Sequence, residues 1–333
     1  MNQVNILVKK YNRYFMNQIC MDLLRFNDVP NPYNVFPAQI NPQKYNKPDK
    51  YSCPPEIIKR MHSMKHGLLY KSHIYTAEIE IFFFTHIQDS CLERFHIVMT
   101  ILRYMMQFVP PKPVKVDFVL TDIKKQLPLR GELIGPSSLN TGYTDGINIV
   151  VYREEEWLKV FIHECMHFFM YDSELRDKPQ LLYHLFPVHS TLNVNESYCE
   201  IWARILNCCV ISVMNHKNVY TLLENERKFS AQQMVKILNY MHLKYDDLTH
   251  KGTEFHENTN AFAYLVLTAI VIHDPVSFVD WCNDHNTILL RIKNAHNFVA
   301  FIKNQYQLPS FKSTTHRTNR SLSTKMSINN IQL

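Results

Sequence analysis

The chain has 333 residues, 46% of them hydrophobic, with 36 basic and 30 acidic side chains for a formal net charge of +6. That is enough apolar material for a large core and one accessory unit, and the charge excess is too mild and too spread to mark a nucleic-acid-binding domain. The 8 cysteines contain no C-x-x-C pair and read as buried reduced thiols rather than a disulfide framework. Residues Met1 to Asn5 lack the apolar core of a secretory signal, and the most apolar run, Ala261–Ile272, is too short to span a bilayer. A cytoplasmic chain with no membrane contact is expected. The scarcity of glycine (6) beside plentiful Asn, Lys, Ile and Tyr suits an AT-rich coding genome.

In chain order, Val4, Leu7, Tyr11, Tyr14, Phe15, Ile19, Leu23 and Phe26 repeat at helical spacing and predict an amphipathic helix over residues 2–26. Pro30 to Pro55 is Pro/Asn-rich and predicts a linker or strap, a surface connection in preference to a cover over a cleft. Together these make an N-terminal unit, residues 1–60. His73–Phe84 alternates as a strand, and Ser90-x-x-Glu93 reads as a capping box opening a helix with Leu92, Phe95, Met99, Leu102 and Met106 on one face. Val114–Thr121 and Gly146–Tyr152 are further strands, with Leu139–Thr144 a rival for the sheet edge. A mainly helical remainder follows, including a buried helix over Ala261–Ile272. The predicted fold class is α+β: a small mixed sheet before an active-site helix, then a helical subdomain, within a catalytic unit of residues 61–308. Residues 309–333 are Ser/Thr-rich, carry Lys312, Arg317, Arg320 and Lys325 without an acid, and predict a disordered basic tail.

Residues 163–167 read His-Glu-Cys-Met-His after Glu154-Glu155-Glu156-Trp157, acids that suit the positive end of a helix dipole. On a helix, His163 and His167 share one face and can reach one Zn²⁺. Glu164 sits about 100° around, where a general base can contact the water at a metal without displacing it. The continuation Phe168-Phe169-Met170-Tyr171-Asp172 excludes the branch that takes a third His after a Gly. Instead Asn195-Glu196-Ser197-Tyr198-Cys199-Glu200 opens a second helix, with Asn193 or Asn195 as its cap. Glu196 and Glu200 share a face, so one can bind the metal while the other orients a ligand histidine.

His163-Glu164-x-x-His167 followed by Asn195-Glu196-x-x-x-Glu200 resembles the gluzincin metallopeptidases typified by thermolysin, whose second helix carries Asn-Glu-x-x-x-Asp. The resemblance implies a zincin-like fold, Glu196 as third ligand, and Glu200 as the partner of His163. It departs in having Glu at 200 and a longer connection between the helices. The blocks Leu139–Thr144, Tyr152–Trp157, Leu185–Val188 and Glu196–Ala203 are also similar to an uncharacterised zincin-like family encoded by large cytoplasmic DNA viruses. Gluzincins place a His or Tyr for the oxyanion some way beyond the Glu ligand. Here His256 and Tyr264 fall in that window, Tyr264 being favoured because a helix would hold it. His184 and His189, in the loop between the two motif helices, are further candidates near the metal.

The expected activity is hydrolysis of a peptide or protein substrate by one Zn²⁺ per chain held by His163, His167 and Glu196. Glu164 is the base, and Tyr264 or His256 the oxyanion donor. The alternatives are an inactive zincin-shaped interaction module retaining a structural metal, and a hydrolase of a non-peptide amide or ester.

Overall fold

The computed structural model describes residues 14–45, 53–64, 66–85, 90–178, 180–190, 192–314 and 321–331. Helix α1 (Tyr14–Asn27) buries Met16, Ile19, Leu23 and Phe26, the apolar positions at helical spacing. The earlier part of the predicted helix, with Val4, Leu7 and Tyr11, lies outside the described residues. Strand β1 (Asn34–Ala38) follows, then helix α2 (Pro55–Met61) and the hairpin β2 (Gly67–Ile74) and β3 (Ala77–Thr85). The single strand predicted over His73–Phe84 is therefore two strands. Ile74 pairs with Ala77 across Tyr75-Thr76, with Tyr75 at φ 53°. A two-residue turn preserves period-two alternation, and without Gly or Asn it left no mark in the sequence.

Helix α3 (Cys91–Met106) crosses from β3 to the parallel β4 (Val114–Thr121). Ser90 stands at its N-cap position, but no side-chain cap bond forms there, and its hydroxyl accepts from Arg94 Nε at 3.0 Å. The short helix α4 (Pro136–Leu139) leads into β5 (Gly142–Thr144) and β6 (Asn148–Arg153). The six strands form one mixed sheet in the order β1-β2-β3-β4-β6-β5. One sheet face sends Ile81, Phe83, Val116, Phe118, Ile149 and Val151 into the main core with α3. The other packs Phe84, Val119, Val150 and Tyr152 against Ile57 and Met61 of α2.

Helix α5 (Trp157–Phe168) leaves β6 directly and is buried on nearly all sides, as is α7 (Val194–Met214), beyond the short α6 (Gln180–Tyr183). Fully burying a large apolar side chain contributes roughly 1.5–3 kcal/mol, and Phe161, Ile162, Trp202 and Ile205 of these two helices are all fully buried in the main core. Asn193 is the N-cap residue of α7, yet its amide donates to Asn260 Oδ1 at 2.7 Å instead of capping. Around α7 stand α8 (Val219–Tyr240), a π-helical segment (Phe262–Leu267) continuing into α9 (Thr268–Val271), α10 (Pro275–His285), the ribbon β7 (Asn286–Ile288) and β8 (Arg291–Ile292), α11 (Ala295–Tyr306) and α12 (Pro309–Lys312). The class is α+β: a mixed sheet followed by helices.

Two expectations need correction. The described N-terminal residues are not set apart, since α1 joins the main core and β1 pairs with β2. That strand lies at the sheet edge opposite β5. The C-terminal residues are not a disordered tail over their described length. Phe311 is buried in α12, and in the segment 321–331 Thr324, Met326 and Ser327 are buried. The tail has no acid of its own, but the body supplies them: Glu155, Glu156 and Glu226 all contact the segment. Arg317 and Arg320 lie outside the described residues.

Candidate metal centre

Helix α5 presents His163 and His167 on one face, and the first turn of α7 brings Glu196 against them. His163 Nε2 and His167 Nε2 are 3.1 Å apart, and each lies 3.4 Å from Glu196 Oε2. A tetrahedral Zn²⁺ with arms of about 2.0–2.1 Å has donor–donor edges of about 3.3–3.4 Å. The three atoms therefore outline one face of such a tetrahedron, and the residues fit the metal.

Behind each imidazole stands a carboxylate. His163 Nδ1 lies 3.1 Å from Glu200 Oε2, and Glu200 is gripped by Lys159 Nζ (3.0 Å to each oxygen) and Arg204 Nε (2.9 Å). His167 Nδ1 lies 2.8 Å from Asp172 Oδ2, and Asp172 accepts from Arg176 Nε and Nη2 at 3.1 and 3.0 Å. Such partners set which ring nitrogen faces a metal. A second trio, His167, Asp172 and Cys199, is also close, with Cys199 Sγ 3.6 Å from His167 Nδ1. Because Arg176 already occupies the Asp172 carboxylate, this trio reads as the support of His167.

Electrostatics follow the geometry. Burial pulls the His163 pKa down, but Glu196 and Glu200 outweigh it and the net shift is upward. Burial likewise opposes the charged His167, and Cys199, Glu196 and Asp172 carry its pKa well up. Burial works against ionised Glu196 too, yet the two imidazoles hold it well below the usual carboxylate range. Glu164 shifts the other way, because burial lifts it against the pull of His163 and His167. A carboxyl moved toward neutrality beside a charged cluster is suited to take and return a proton.

Tyr264, on the π-helical segment, reaches the site: its hydroxyl donates to Glu196 Oε2 at 2.8 Å and its ring meets His163 edge-on at 5.6 Å. Insertions of π-helix are frequent at functional sites. His256 does not reach it. That residue is exposed, and its carbonyl accepts from Ile134 N at 3.3 Å. His184 and His189 are exposed as well, His189 pairing with Glu254 at 2.6 Å, and neither lines the cleft. The acids expected to serve the helix dipole do other work. Helix α5 starts only at Trp157, Glu154 pairs with Arg94 at 2.6 Å, and Glu155 accepts from Lys125 N at 2.8 Å.

The site opens into a cleft of about 570 Å³ bordered by β5 and by Met170, Arg176 and Asn193. Strand β5 is the sheet edge. Tyr152 N donates to Thr141 O and Tyr143 pairs with Val150, so by antiparallel alternation the Gly142 and Thr144 main-chain groups point outward. Gly142 is needed where it stands, since a Cβ there would meet Val150 O and Val160 Cγ1 at 2.7 Å. Its absence lets the edge strand lie directly on α5.

Sequence reasoning missed Asp172, Lys159 and Arg204. The signal for the latter two was present: Lys159 is one turn before His163, and Arg204 one turn after Glu200, on otherwise apolar buried helices. Compared with protein-family models, curated proteins and solved structures, the chain matches none.

Proposed function

We propose that the protein is a zincin-like, zinc-dependent metallopeptidase. The observation that carries this reading is the face of three donor atoms with edges of 3.1, 3.4 and 3.4 Å, beside the buried carboxyl of Glu164. When bound, Zn²⁺ would polarise the substrate carbonyl and acidify the attacking water. His163, His167 and Glu196 would hold it, with Glu200 and Asp172 keeping the imidazole Nδ1 atoms protonated.

Glu164 takes the proton from the attacking water and returns it to the leaving amine. The Tyr264 hydroxyl, turning from Glu196 once that carboxylate is engaged as a ligand, donates its one proton to the carbonyl oxygen as that atom gains charge. The outward N–H and C=O groups of Gly142 and Thr144 pair with an extended peptide laid along the cleft, which is strand addition to a free edge. That edge favours a peptide over a small amide or ester, because only an extended backbone uses both residues. The test is cleavage of a peptide library by the Zn²⁺-loaded chain, with Glu164→Gln as control. Turnover lost in the variant with metal retained is the expected result. Equal turnover in both would refute the role of Glu164.

A further inference from the structure

Along the face of α7 that carries Glu196 and Glu200, the site continues through Arg204 into a buried chain of charges that ends in the C-terminal segment. Lys125, Lys159 and Arg204 stand against Glu156, Glu200 and Glu226, and all six side chains are buried. Beyond its bond to Glu200, Arg204 donates from Nη2 to the main-chain carbonyl of Tyr264 at 2.9 Å. Its Nη1 donates to Ser230 Oγ at 2.6 Å and lies 3.7 Å from Glu226 Oε1. One guanidinium thus fixes both the carboxylate behind His163 and the backbone that carries the Tyr264 hydroxyl.

Arg204 is in turn held by what holds Glu226. Glu226 Oε2 accepts from Ser327 Oγ at 2.8 Å, Asn329 Nδ2 at 3.0 Å and Ile328 N at 3.3 Å. The same segment meets the start of the active-site helix, where Glu156 Oε1 accepts from Met326 N at 2.9 Å and Ser327 N at 2.5 Å. Glu156 is in the left-handed region at φ 62°, a backbone strain that these bonds help to sustain. The Met326 side chain borders a small space shared with His163, Glu164, Glu200 and Tyr264. A carboxylate buried without donors is costly, so the segment and the two glutamates require one another.

We infer that residues 323–329 are a working part of the metal site, with Glu226 and Arg204 as positioning residues that transmit the seating of this segment to His163 and Tyr264. The inference rests on the metal reading proposed above. It gives the site a means of regulation, because whatever unseats the segment loosens the ligand geometry without touching a ligand.

The test uses the full-length chain and Co²⁺ as the probe, read by affinity and by visible absorption, with circular dichroism and melting of the metal-free protein as the fold control. Glu226→Gln should weaken Co²⁺ binding about 10-fold, the lower end of what outer partners of a metal site usually command, and shift the absorption bands. Glu226→Asp should restore most of both. Ser327→Ala with Asn329→Ala, a milder change, should move both readouts in the same direction, and decides the matter if Glu226→Gln fails to fold. Folded variants with unchanged affinity and spectrum overturn the inference whatever their melting temperatures, provided the wild-type chain takes up Co²⁺. A wild-type chain that takes up none overturns the metal reading and this inference together.

Discussion

The Tyr264 hydroxyl donates to Glu196 Oε2 at 2.8 Å, which puts a neutral donor beside the carboxylate oxygen that both imidazoles face. Burial, with Glu196 adding to it, keeps the phenol well above its ordinary pKa, so it remains a donor at neutral pH. Tyr264→Phe removes that donor and keeps the ring packing. The expected result is a kcat loss of roughly 10²–10³-fold with KM nearly unchanged. Steady-state kinetics on a cleaved peptide checks this, and a kcat within a few-fold of wild type removes Tyr264 from the chemistry.

Glu196 and Glu200 differ in what they face, so their amides should differ in effect. Glu196→Gln should abolish tight metal binding. Glu200→Gln should cost roughly 10–100-fold in affinity and destabilise the fold, because it leaves Lys159 and Arg204 short of their buried counter-charge. Isothermal titration with Zn²⁺ after chelation gives the ranking, and the reverse order would assign the ligand role to Glu200.

Protein never exposed to chelator should hold about one Zn²⁺ per chain by elemental analysis, and chelation should lower its melting temperature. The two forms should respond oppositely to pH. In the metal-free fold both imidazole pKa values are raised above 6.5, so their stabilisation is complete below that value and is lost as pH rises through the folded pKa values. With metal present, deprotonated imidazoles are the ligands, so stability should rise across the same interval. Calorimetry at pH 6 and pH 9 with and without Zn²⁺ separates these slopes, and parallel slopes would contradict the assignment.

Gly142→Ala places a methyl where Val150 O and Val160 Cγ1 are each 2.7 Å away. Strand β5 or helix α5 must shift, at a cost of about 1–3 kcal/mol for overpacking. Activity should fall further than stability, because the shift separates the proposed substrate-binding edge from Glu164. Comparing kcat/KM with the denaturation midpoint tests the point, and an active enzyme with wild-type kinetics would show that the edge is not used.

Away from the site, Asp280 is pushed up to about 6 by burial and by the neighbouring Asp274 and Asp284. An acid whose folded pKa lies above its unfolded value of 3.8 makes the native state bind more protons between the two. Stability should therefore fall as pH rises from about 4 to 6. Asp280→Asn should flatten this slope and raise the melting temperature at pH 7 while leaving it little changed at pH 3.5. A melting curve set across that range is the check.

Much of the site was legible because it is local. The spacing of His163, Glu164 and His167 specifies their relative directions once a helix is granted, and the same holds for Glu196 and Glu200. Strands β4 and β6 were legible for a similar reason, since buried β-branched runs bounded by turn residues are written in consecutive positions. The β2–β3 turn escaped because two residues of ordinary type do not disturb an alternating pattern. Asp172 escaped because its meeting with His167 depends on how the chain doubles back after α5, not on any period.

The amino-acid sequence by itself determined the helical His-Glu-x-x-His face, the paired acids of α7 and the α+β order of elements, all consequences of backbone periodicity. Only the tertiary structure decided that Glu196 faces the Nε2 atoms of both imidazoles while Glu200 meets His163 Nδ1, since that depends on where α7 crosses α5. The same applies to β5 as the free edge and to Tyr264 rather than His256 in the cleft. It also seated the C-terminal segment, whose lack of acids suggested disorder until Glu156 and Glu226, far away in the chain, supplied the charges its donors needed. Periodicity acts between neighbours in sequence, whereas the matching of buried charges acts between neighbours in space, and a chain read one residue after another displays only the first.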